Sequence, residues 1–133
     1  MKSLGFALLF ILFHSAIQAQ SNPEQIVQNN LEAYNQRNID KFMSFIHPNV
    51  QLYEWDLMAP IASGFTEVKN RYLDLFQRSP FLHSEILGRT IIGNKVIDYE
   101  VISGRMGETK FIEMVVVYEV EENLIKKILV IRK

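Results

Sequence analysis

The sequence predicts one α+β domain, in which three helices pack on one face of a curved, mainly antiparallel sheet. Three observations lead to this fold class. The helix-like segments come early in the chain, most strand-like segments follow one another late, and short turns join the late strands. Helices and antiparallel strands that are segregated along a chain are typical of α+β domains. A length of 133 residues fits a single domain of this kind.

The two earliest helices are predicted from capping residues and apolar spacing. Asn22 and Pro23 indicate the start of the first helix, and apolar residues recur at helical spacing up to Tyr34. We expect the second helix to end ahead of Pro48, because the residue before a proline avoids helical backbone. A third helix is predicted to begin near residues 63–66. Its predicted buried stripe contains Phe65, Val68, Tyr72, Leu75 and Phe76.

Five segments are predicted as strands. Residues 50–55 alternate between apolar and polar side chains, which indicates an early strand, and residues 56–64 should form a loop. The late strands are predicted at residues 82–92, 95–103, 111–121 and 124–132. Gly93-Asn94 provides a two-residue hairpin turn between the first two of these.

The first late hairpin leaves open which of its faces lies inward. With a two-residue turn, one face carries His83, Glu85, Arg89, Asp98 and Glu100, and the other carries Leu82, Ile86, Ile92, Ile97, Tyr99 and Val101. The apolar face is the better candidate for the core, so we expect the charged face in solvent. Its Arg89–Asp98 ion pair would be worth under about 1 kcal/mol there. A β-bulge would instead exchange the faces locally and bring His83 or Glu100 into the interior.

Composition limits the possible functions. The chain has 14 Lys+Arg and 15 Asp+Glu, and nucleic acid is a disfavoured partner because it requires a basic surface. There is no Cys, which excludes disulfides, thiolate nucleophiles and zinc–thiolate sites. No HExxH, P-loop, GxGxxG or GxSxG motif is present. We therefore expect no metal, nucleotide or other cofactor.

The first 19 residues are typical of a secretory signal peptide. Lys2 gives a positive start, residues 4–13 have no polar side chain, and Ala19 is a small residue suited to cleavage. A membrane anchor is the alternative, but a spanning helix needs about 20 apolar residues. We expect cleavage near Ala19 and export of residues 20–133 to the periplasm or the extracellular space, without membrane attachment after processing.

Three segments carry a family resemblance. They are residues 34–40, residues 47–50 (His-Pro-Asn-Val), and Gly64 ahead of a helix that ends in Leu75-Phe76. They resemble the nuclear transport factor two-like superfamily, and within it SnoaL-like and ketosteroid-isomerase-like domains. The resemblance covers residues 23–132 and implies a cone-shaped, cystatin-like fold, in which helices close one end of a bent sheet around an apolar cavity.

The resemblance implies more than one activity. It is compatible with a ketosteroid-isomerase-like isomerase, with a SnoaL-like cyclase, and with a module that only binds a ligand or a protein, because fold does not fix function. The implied ligand is a small apolar or carbonyl-containing molecule. A buried polar group in the apolar cavity would distinguish a catalytic domain from a purely binding one.

Glu54 is the predicted catalytic residue. Val50 and Leu52 share its face of the early strand, because side chains alternate along a strand. If that face points to the core, Glu54 reaches the interior, where desolvation would raise its pKa and suit it to act as a general base. In ketosteroid isomerases a base carboxylate occupies a similar place. The alternatives are a cavity-lining role without catalysis and a position in solvent at the strand end.

Six further residues are candidate binding residues: Asn30, Tyr34, Trp55, Tyr72, His83 and Glu100. The resemblance aligns Asn30 with an oxyanion-stabilising tyrosine of ketosteroid isomerases, and Tyr34 lies one turn later on the same helix face. A second donor of that family would fall near Glu113 or Met114, and the register is undecided.

Tyr72, Trp55 and His47 also have structural interpretations. Tyr72 lies on an apolar helix stripe and suits core packing, although its hydroxyl still needs a partner, which the cavity could provide. Trp55 shares a face with Tyr53 and is expected at the cavity mouth or at a dimer surface. His47 precedes a proline and is expected to be structural.

A homodimer through the sheet is also predicted. The late strands carry apolar residues on both faces: Ile112, Met114, Val116 and Tyr118 on one, and Phe111, Val115 and Val117 on the other. Only one face can pack on the helices, and an exposed apolar patch usually marks an interface.

Overall fold

A computed structural model describes residues 22–133, so the predicted signal peptide lies outside the described residues. The helices are α1 (Pro23–Asn35), α2 (Ile39–Met43) and α3 (Phe65–Arg78). The strands are β1 (Ile46–Glu54), β2 (Ala62–Ser63), β3 (His83–Ile92), β4 (Lys95–Ser103), β5 (Ile112–Glu121) and β6 (Leu124–Arg132). A turn of 3-10 helix, Arg105–Gly107, follows β4. The predicted α+β class is confirmed. No helix within residues 22–133 has the length and apolar character needed to cross a bilayer.

The six strands form one open sheet in the order β2-β1-β6-β5-β4-β3. β1 runs parallel to β6, and every other neighbouring pair is antiparallel. α3 packs against β1, and α1 packs against β3 and β4. The helices therefore cover one face of the sheet, and the core lies between these two layers.

The caps and turns follow the local sequence. The Asn22 side chain accepts a hydrogen bond from the Gln25 backbone N–H at 3.2 Å, and Pro23 occupies the first turn of α1. Gly93 has a φ of 59° in the β3–β4 turn, as a tight hairpin connection requires. Glu122 and Asn123 form the β5–β6 turn, with φ angles of 53° and 63°.

The second helix is shorter than predicted, and Pro48 does not end it. The Phe45 carbonyl accepts a hydrogen bond from the Ile125 backbone N–H at 2.8 Å, so the chain has already joined the sheet at this point. Pro48 lies within β1, where the register with β6 shifts between Ile46 and Gln51. An irregular strand tolerates a proline because no ladder hydrogen bond is required of its missing N–H.

The predicted loop before α3 contains the short strand β2. Leu52 pairs with Ala62, and the Gly64 backbone N–H donates to the Val50 carbonyl at 2.7 Å. Gly64 has a φ of 83°, a conformation that favours glycine, and α3 begins at the next residue. This connection holds the start of α3 against β1.

β3 contains a bulge at Leu87, and it decides which charged residues face inward. Arg89 pairs with Asp98 as the two-residue turn predicts, but Glu100 pairs with Ile86 because the register shifts between Ile86 and Gly88. The bulge is therefore present, but it leaves His83 on the outer side, and Glu100 faces inward through the pairing of β4 with β5.

The expectation that the charged face of the hairpin lies in solvent is wrong for β4. Asp98 is 0% and Glu100 is 4% exposed, whereas Tyr99 is 42% exposed. The reason is the neighbouring strand, since Asp98 pairs with Val116 and shares the inner face of the sheet with it. Beyond the bulge, His83 lies on the outer side and is exposed.

Candidate functional site

A cavity of about 340 Å³ lies between the helices and the inner face of the sheet. Its apolar wall includes Leu31, Leu52, Ile102, Met114, Val116 and Val130. Ligand pockets in proteins range from roughly 300 to 1,000 Å³ and are mainly apolar with a few placed polar groups. The cavity therefore has the size and character of a small-molecule site.

An aromatic cluster forms the helical side of the cavity. The Tyr34 and Tyr72 rings meet edge to face with centroids 6.4 Å apart, and the Phe42 ring lies 4.4 Å from that of Tyr72. Phe76 packs edge to face on Tyr34 at 5.5 Å. Because each ring contacts several others, the positions of the two tyrosines are fixed by packing.

Asn30 also lines the cavity, but its amide already has a structural partner. Its Nδ2 donates to the Phe42 carbonyl at 3.0 Å, and the residue is buried. This bond joins α1 to the end of α2. The side chain therefore helps to hold Phe42 in the cavity wall.

Glu100 is the buried ionisable group of the cavity. Its Oε2 atom has no hydrogen-bond partner among the described residues, and neither has the hydroxyl of neighbouring Ser84. Burial, and to a smaller extent the negative charge of Asp98, raises the pKa of Glu100 to about 7. The positive charge of Arg89 opposes this increase only in part. The carboxyl group can therefore exchange a proton near neutral pH.

Three tyrosines, Tyr34, Tyr72 and Tyr118, line the same cavity as Glu100. Burial raises the pKa of each, and the Glu100 carboxylate contributes to the increase in all three. Their hydroxyls consequently remain protonated and available as hydrogen-bond donors. Such donors can hold a carbonyl or hydroxyl oxygen of a ligand near the Glu100 carboxyl.

Three arginines contribute to the cavity wall: Arg71, Arg105 and Arg132. Arg132 forms an ion pair with Glu54. Glu54 is the last residue of β1, its side chain is 29% exposed, and it is absent from the cavity wall. Glu54, the predicted base, therefore does not line the cavity and is connected to its wall only by the ion pair with Arg132.

The other predicted residues divide into two groups. Asn30, Tyr34, Tyr72 and Glu100 line the cavity together. Trp55, at 64% exposed, and His83, which is also exposed, lie outside its wall. His47 is buried, and its Nδ1 accepts a hydrogen bond from the Asn49 backbone at 3.0 Å.

The undecided register on β5 is resolved. Met114 is buried and lines the cavity, while Glu113 is exposed and pairs with Lys133 at 3.5 Å. No acidic donor of the kind expected from the resemblance therefore stands at this position on the inner face. The acidic group on that face comes from Glu100 on β4 instead.

Sequence reasoning missed Tyr118 and the three arginines. The strand pattern puts Tyr118 on the inner face with Met114 and Val116. Its hydroxyl could therefore have been predicted from the sequence to face the cavity. The arginines had no comparable signal, because Arg105 lies in a turn and Arg132 at the end of β6. Only the folded chain brings them to one cavity.

Comparison with known proteins places the chain in a family. The SnoaL-like domain matches residues 27–128. No curated protein matches the chain. A cystatin-fold protein of uncharacterised function from Novosphingobium aromaticivorans is 20% identical, with 86% of this chain and 100% of that chain covered and a TM-score of 0.75.

Two further solved structures share the fold. A candidate ketosteroid isomerase from Kribbella flavida is 12% identical, with 84% of this chain and 77% of that chain covered and a TM-score of 0.71. TerC, co-crystallised with polyporic acid, is 12% identical, with 84% of this chain and 91% of that chain covered and a TM-score of 0.69. The predicted superfamily and cystatin-like fold are thus confirmed, and the chain belongs to the SnoaL-like domain family.

Proposed function

We propose that this domain binds a small, mainly apolar molecule with a carbonyl or hydroxyl oxygen, and that Glu100 exchanges a proton with it. The observation that carries the proposal is the Glu100 carboxyl, buried in the cavity with an unpartnered Oε2 and a pKa of about 7. The reaction would be of the isomerase or cyclase kind. Solved structures of the same fold include a candidate ketosteroid isomerase and a protein crystallised with polyporic acid.

The chemistry follows from the groups around the carboxyl. The ligand oxygen accepts hydrogen bonds from cavity tyrosines, of which Tyr72 and Tyr118 are examples. The Glu100 carboxylate removes a proton from the carbon next to the carbonyl. The electron pair of the broken C–H bond forms a C=C bond, and the π pair of the carbonyl moves to the oxygen, which gives an enolate. The tyrosine donors stabilise that negative charge. Where the ligand carries a C=C bond next to that carbon, Glu100 returns the proton to the far carbon of the C=C bond, so the double bond moves and the isomerisation is complete.

A pKa of about 7 suits this step. A base is most effective when its pKa lies near the working pH, because it is then both ionised often enough and basic enough. Apolar residues around the carboxyl keep water from competing for the proton. The alternative is a binding module without catalysis, which would use the same cavity.

Deuterium exchange tests the proposal. The probe is 2-tetralone in D₂O, whose protons on the carbon between the ring and the carbonyl exchange through an enolate, followed by proton NMR. We expect the domain to accelerate exchange, with a rate that rises through a pH of about 7. Glu100→Gln should lower the rate at least about 100-fold, the scale of general base catalysis.

A binding control separates the two functions. Fluorescence titration with 2-naphthol should show that Glu100→Gln still folds and binds a phenol. If the unmodified domain binds 2-naphthol but does not accelerate exchange, the domain is a binding module. Equal exchange rates in the unmodified domain and in Glu100→Gln would remove Glu100 as the base.

We further propose that the domain acts after export. The support is the predicted signal peptide, with Lys2, the apolar run of residues 4–13 and Ala19. N-terminal sequencing of protein recovered from the medium or the cell envelope should begin near Gln20. Recovery of the chain from the cytoplasm with Met1 intact would contradict export.

A further inference from the structure

We propose that the ligand of this cavity is an organic carboxylate, an apolar molecule whose anionic end is held by Arg71 and Arg105 at the cavity mouth. The inference rests on the proposed function, because it assigns a substrate class to the same cavity. The proton-transfer step does not use the positive charge in the cavity wall.

The cavity gathers positive charge in a chain that is slightly acidic overall. The formal charge of the protein is −1, yet Arg71 from α3, Arg105 from the 3-10 turn and Arg132 from β6 all line one cavity. The three elements are far apart in sequence. The fold therefore brings all three arginines into the wall of one cavity.

Two of these arginines have no carboxylate partner. Arg132 is paired with Glu54. The cavity wall also contains Asp74, close in sequence to Arg71. Its carboxylate pairs with Arg78 at 3.3 Å instead. Within residues 22–133, no carboxylate lies within 4 Å of Arg71 or Arg105. Their guanidinium groups are thus free to receive an anion from outside the chain.

The charges of these arginines reach the cavity interior. Arg71 and Arg105 both oppose the increase in the pKa of Tyr72, and Arg105 does so for Tyr34 as well. A positive charge has this effect when it stabilises a negative one nearby. The same field favours an anionic group of a ligand.

Burial orients the ligand. Arg71 is exposed and Arg105 is half-buried, whereas Glu100 is 4% exposed. An anionic group cannot lie beside Glu100, because that carboxyl is itself negative above a pH of about 7. The anion therefore stays at the mouth, the apolar body fills the cavity, and the carbonyl or hydroxyl oxygen points to Glu100.

Arginine also selects the type of anion. Its planar guanidinium donates two parallel hydrogen bonds to a carboxylate, and such charge-assisted bonds are stronger than neutral ones. A carboxylate at the mouth would thus gain about tenfold or more in affinity, since about 1.4 kcal/mol corresponds to a factor of ten.

A matched pair of probes tests the inference. 2-Naphthol and 6-hydroxy-2-naphthoic acid have the same ring system and hydroxyl, and differ by one carboxylate. Both are titrated by fluorescence at pH 8, where Glu100 is largely ionised and the naphthoate carboxylate is charged. We expect the naphthoate to bind at least about tenfold more tightly, and its advantage to shrink in 0.5 M salt.

Arginine variants locate the effect. Arg71→Met and Arg105→Met should each weaken naphthoate binding about five- to tenfold and leave 2-naphthol binding unchanged within about twofold. Lys69→Met is the matched control, because Lys69 lies on the same helix, neither it nor its partner Asp40 belongs to the cavity wall, and it should change neither value. Unchanged 2-naphthol binding also shows that each variant is folded.

The outcomes distinguish this inference from the function on which it rests. Equal affinity for the two probes, or naphthoate affinity that Arg71→Met and Arg105→Met leave intact, overturns the carboxylate class while ligand binding stands. Failure of both probes to bind overturns the carboxylate inference and the proposed small-molecule function together.

Discussion

Arg89 and Asp98 form a two-pronged ion pair on the inner face of the sheet, with Arg89 Nε 2.7 Å from Asp98 Oδ1 and Nη2 2.9 Å from Oδ2. The third nitrogen, Nη1, donates to Gln28 Oε1 at 3.0 Å, which ties the pair to α1. The Asp98 side chain is 1% exposed. Glu100 lies two residues along the same strand face, so the pair sets the charge that this carboxyl experiences.

The two members of the pair should shift the pKa of Glu100 in opposite directions. Asp98→Asn removes a negative charge and should lower the pKa of Glu100 below about 7, while Arg89→Gln removes a positive charge and should raise it. The measurement is a carbon-13 NMR titration of the Glu100 carboxyl in each variant. Shifts of the same sign in both variants would contradict this account.

The pair also shows what the sequence could predict. Its cross-strand register follows from the Gly93-Asn94 turn, and the sequence predicted it correctly. The burial of Asp98 was not predictable from its own hairpin, because neighbouring Tyr99 made the opposite face the more apolar one. The pairing of β4 with β5 determines that Asp98 is buried, and β5 lies outside this hairpin in the sequence.

The bulge had an equally weak local signal. Ile86 and Leu87 are adjacent apolar residues, so alternation alone gives no indication of which one is extra. The pattern allows a bulge as an alternative, yet its position determines that Ser84 and Ile86 face inward and His83 does not. Glu100 faces inward because β4 pairs with β5. Helix caps such as Asn22 were predictable because they depend on contacts a few residues away.

Stability should depend on pH through Glu100. Its folded pKa is about 7 against an ordinary value of 4.5, so between these values the folded state binds more protons than the unfolded state. The free energy of unfolding therefore falls as the pH rises through this window, by up to about 3 kcal/mol. Glu100→Gln should remove this decline.

The measurement is urea unfolding of both proteins at pH 4.5, 6 and 8. The difference between them isolates Glu100, because all other titrating groups are shared. A difference in unfolding free energy that stays constant with pH would contradict a buried Glu100 that charges near neutrality.

Glu54→Gln distinguishes the two candidate bases. Glu54 pairs with Arg132 and its side chain is 29% exposed, so the substitution should cost under about 1 kcal/mol of unfolding free energy. Exchange of 2-tetralone protons should stay within about threefold of the unmodified rate, because Glu100 is intact. Loss of exchange in Glu54→Gln, with a normal rate in Glu100→Gln, would assign the base to Glu54.

Gly104 should be essential for the turn that carries Arg105. Its φ is 68°, and a Cβ at this position would overlap the Phe81 carbonyl oxygen. Gly104→Ala should therefore lower the free energy of unfolding by about 2–4 kcal/mol, from backbone strain and steric overlap together. Thermal or urea unfolding measures the loss.

Gly88→Ala is the matched control for this substitution. Gly88 does not have a positive φ, and a methyl group added to its Cα would meet no atom within 4 Å, so its replacement should stay within about 1 kcal/mol. A similar cost at both glycines would show that the overlap at Gly104 is relieved by a small shift of the turn.

The outer face of the sheet should form a homodimer interface. Cross-strand pairing places Tyr99, Val115 and Ile131 in one row on this face, and Tyr99 is 42% exposed. Apolar rows of this kind are stabilised when a second sheet covers them.

Val115→Lys puts a charge in the middle of the row and should weaken association at least about 100-fold, since an unpaired buried charge is costly. Sedimentation at micromolar to high micromolar protein measures it, with Leu57→Lys, an exposed site in the loop between β1 and β2, as the control. A monomer throughout this range for the unmodified domain would rule out the dimer.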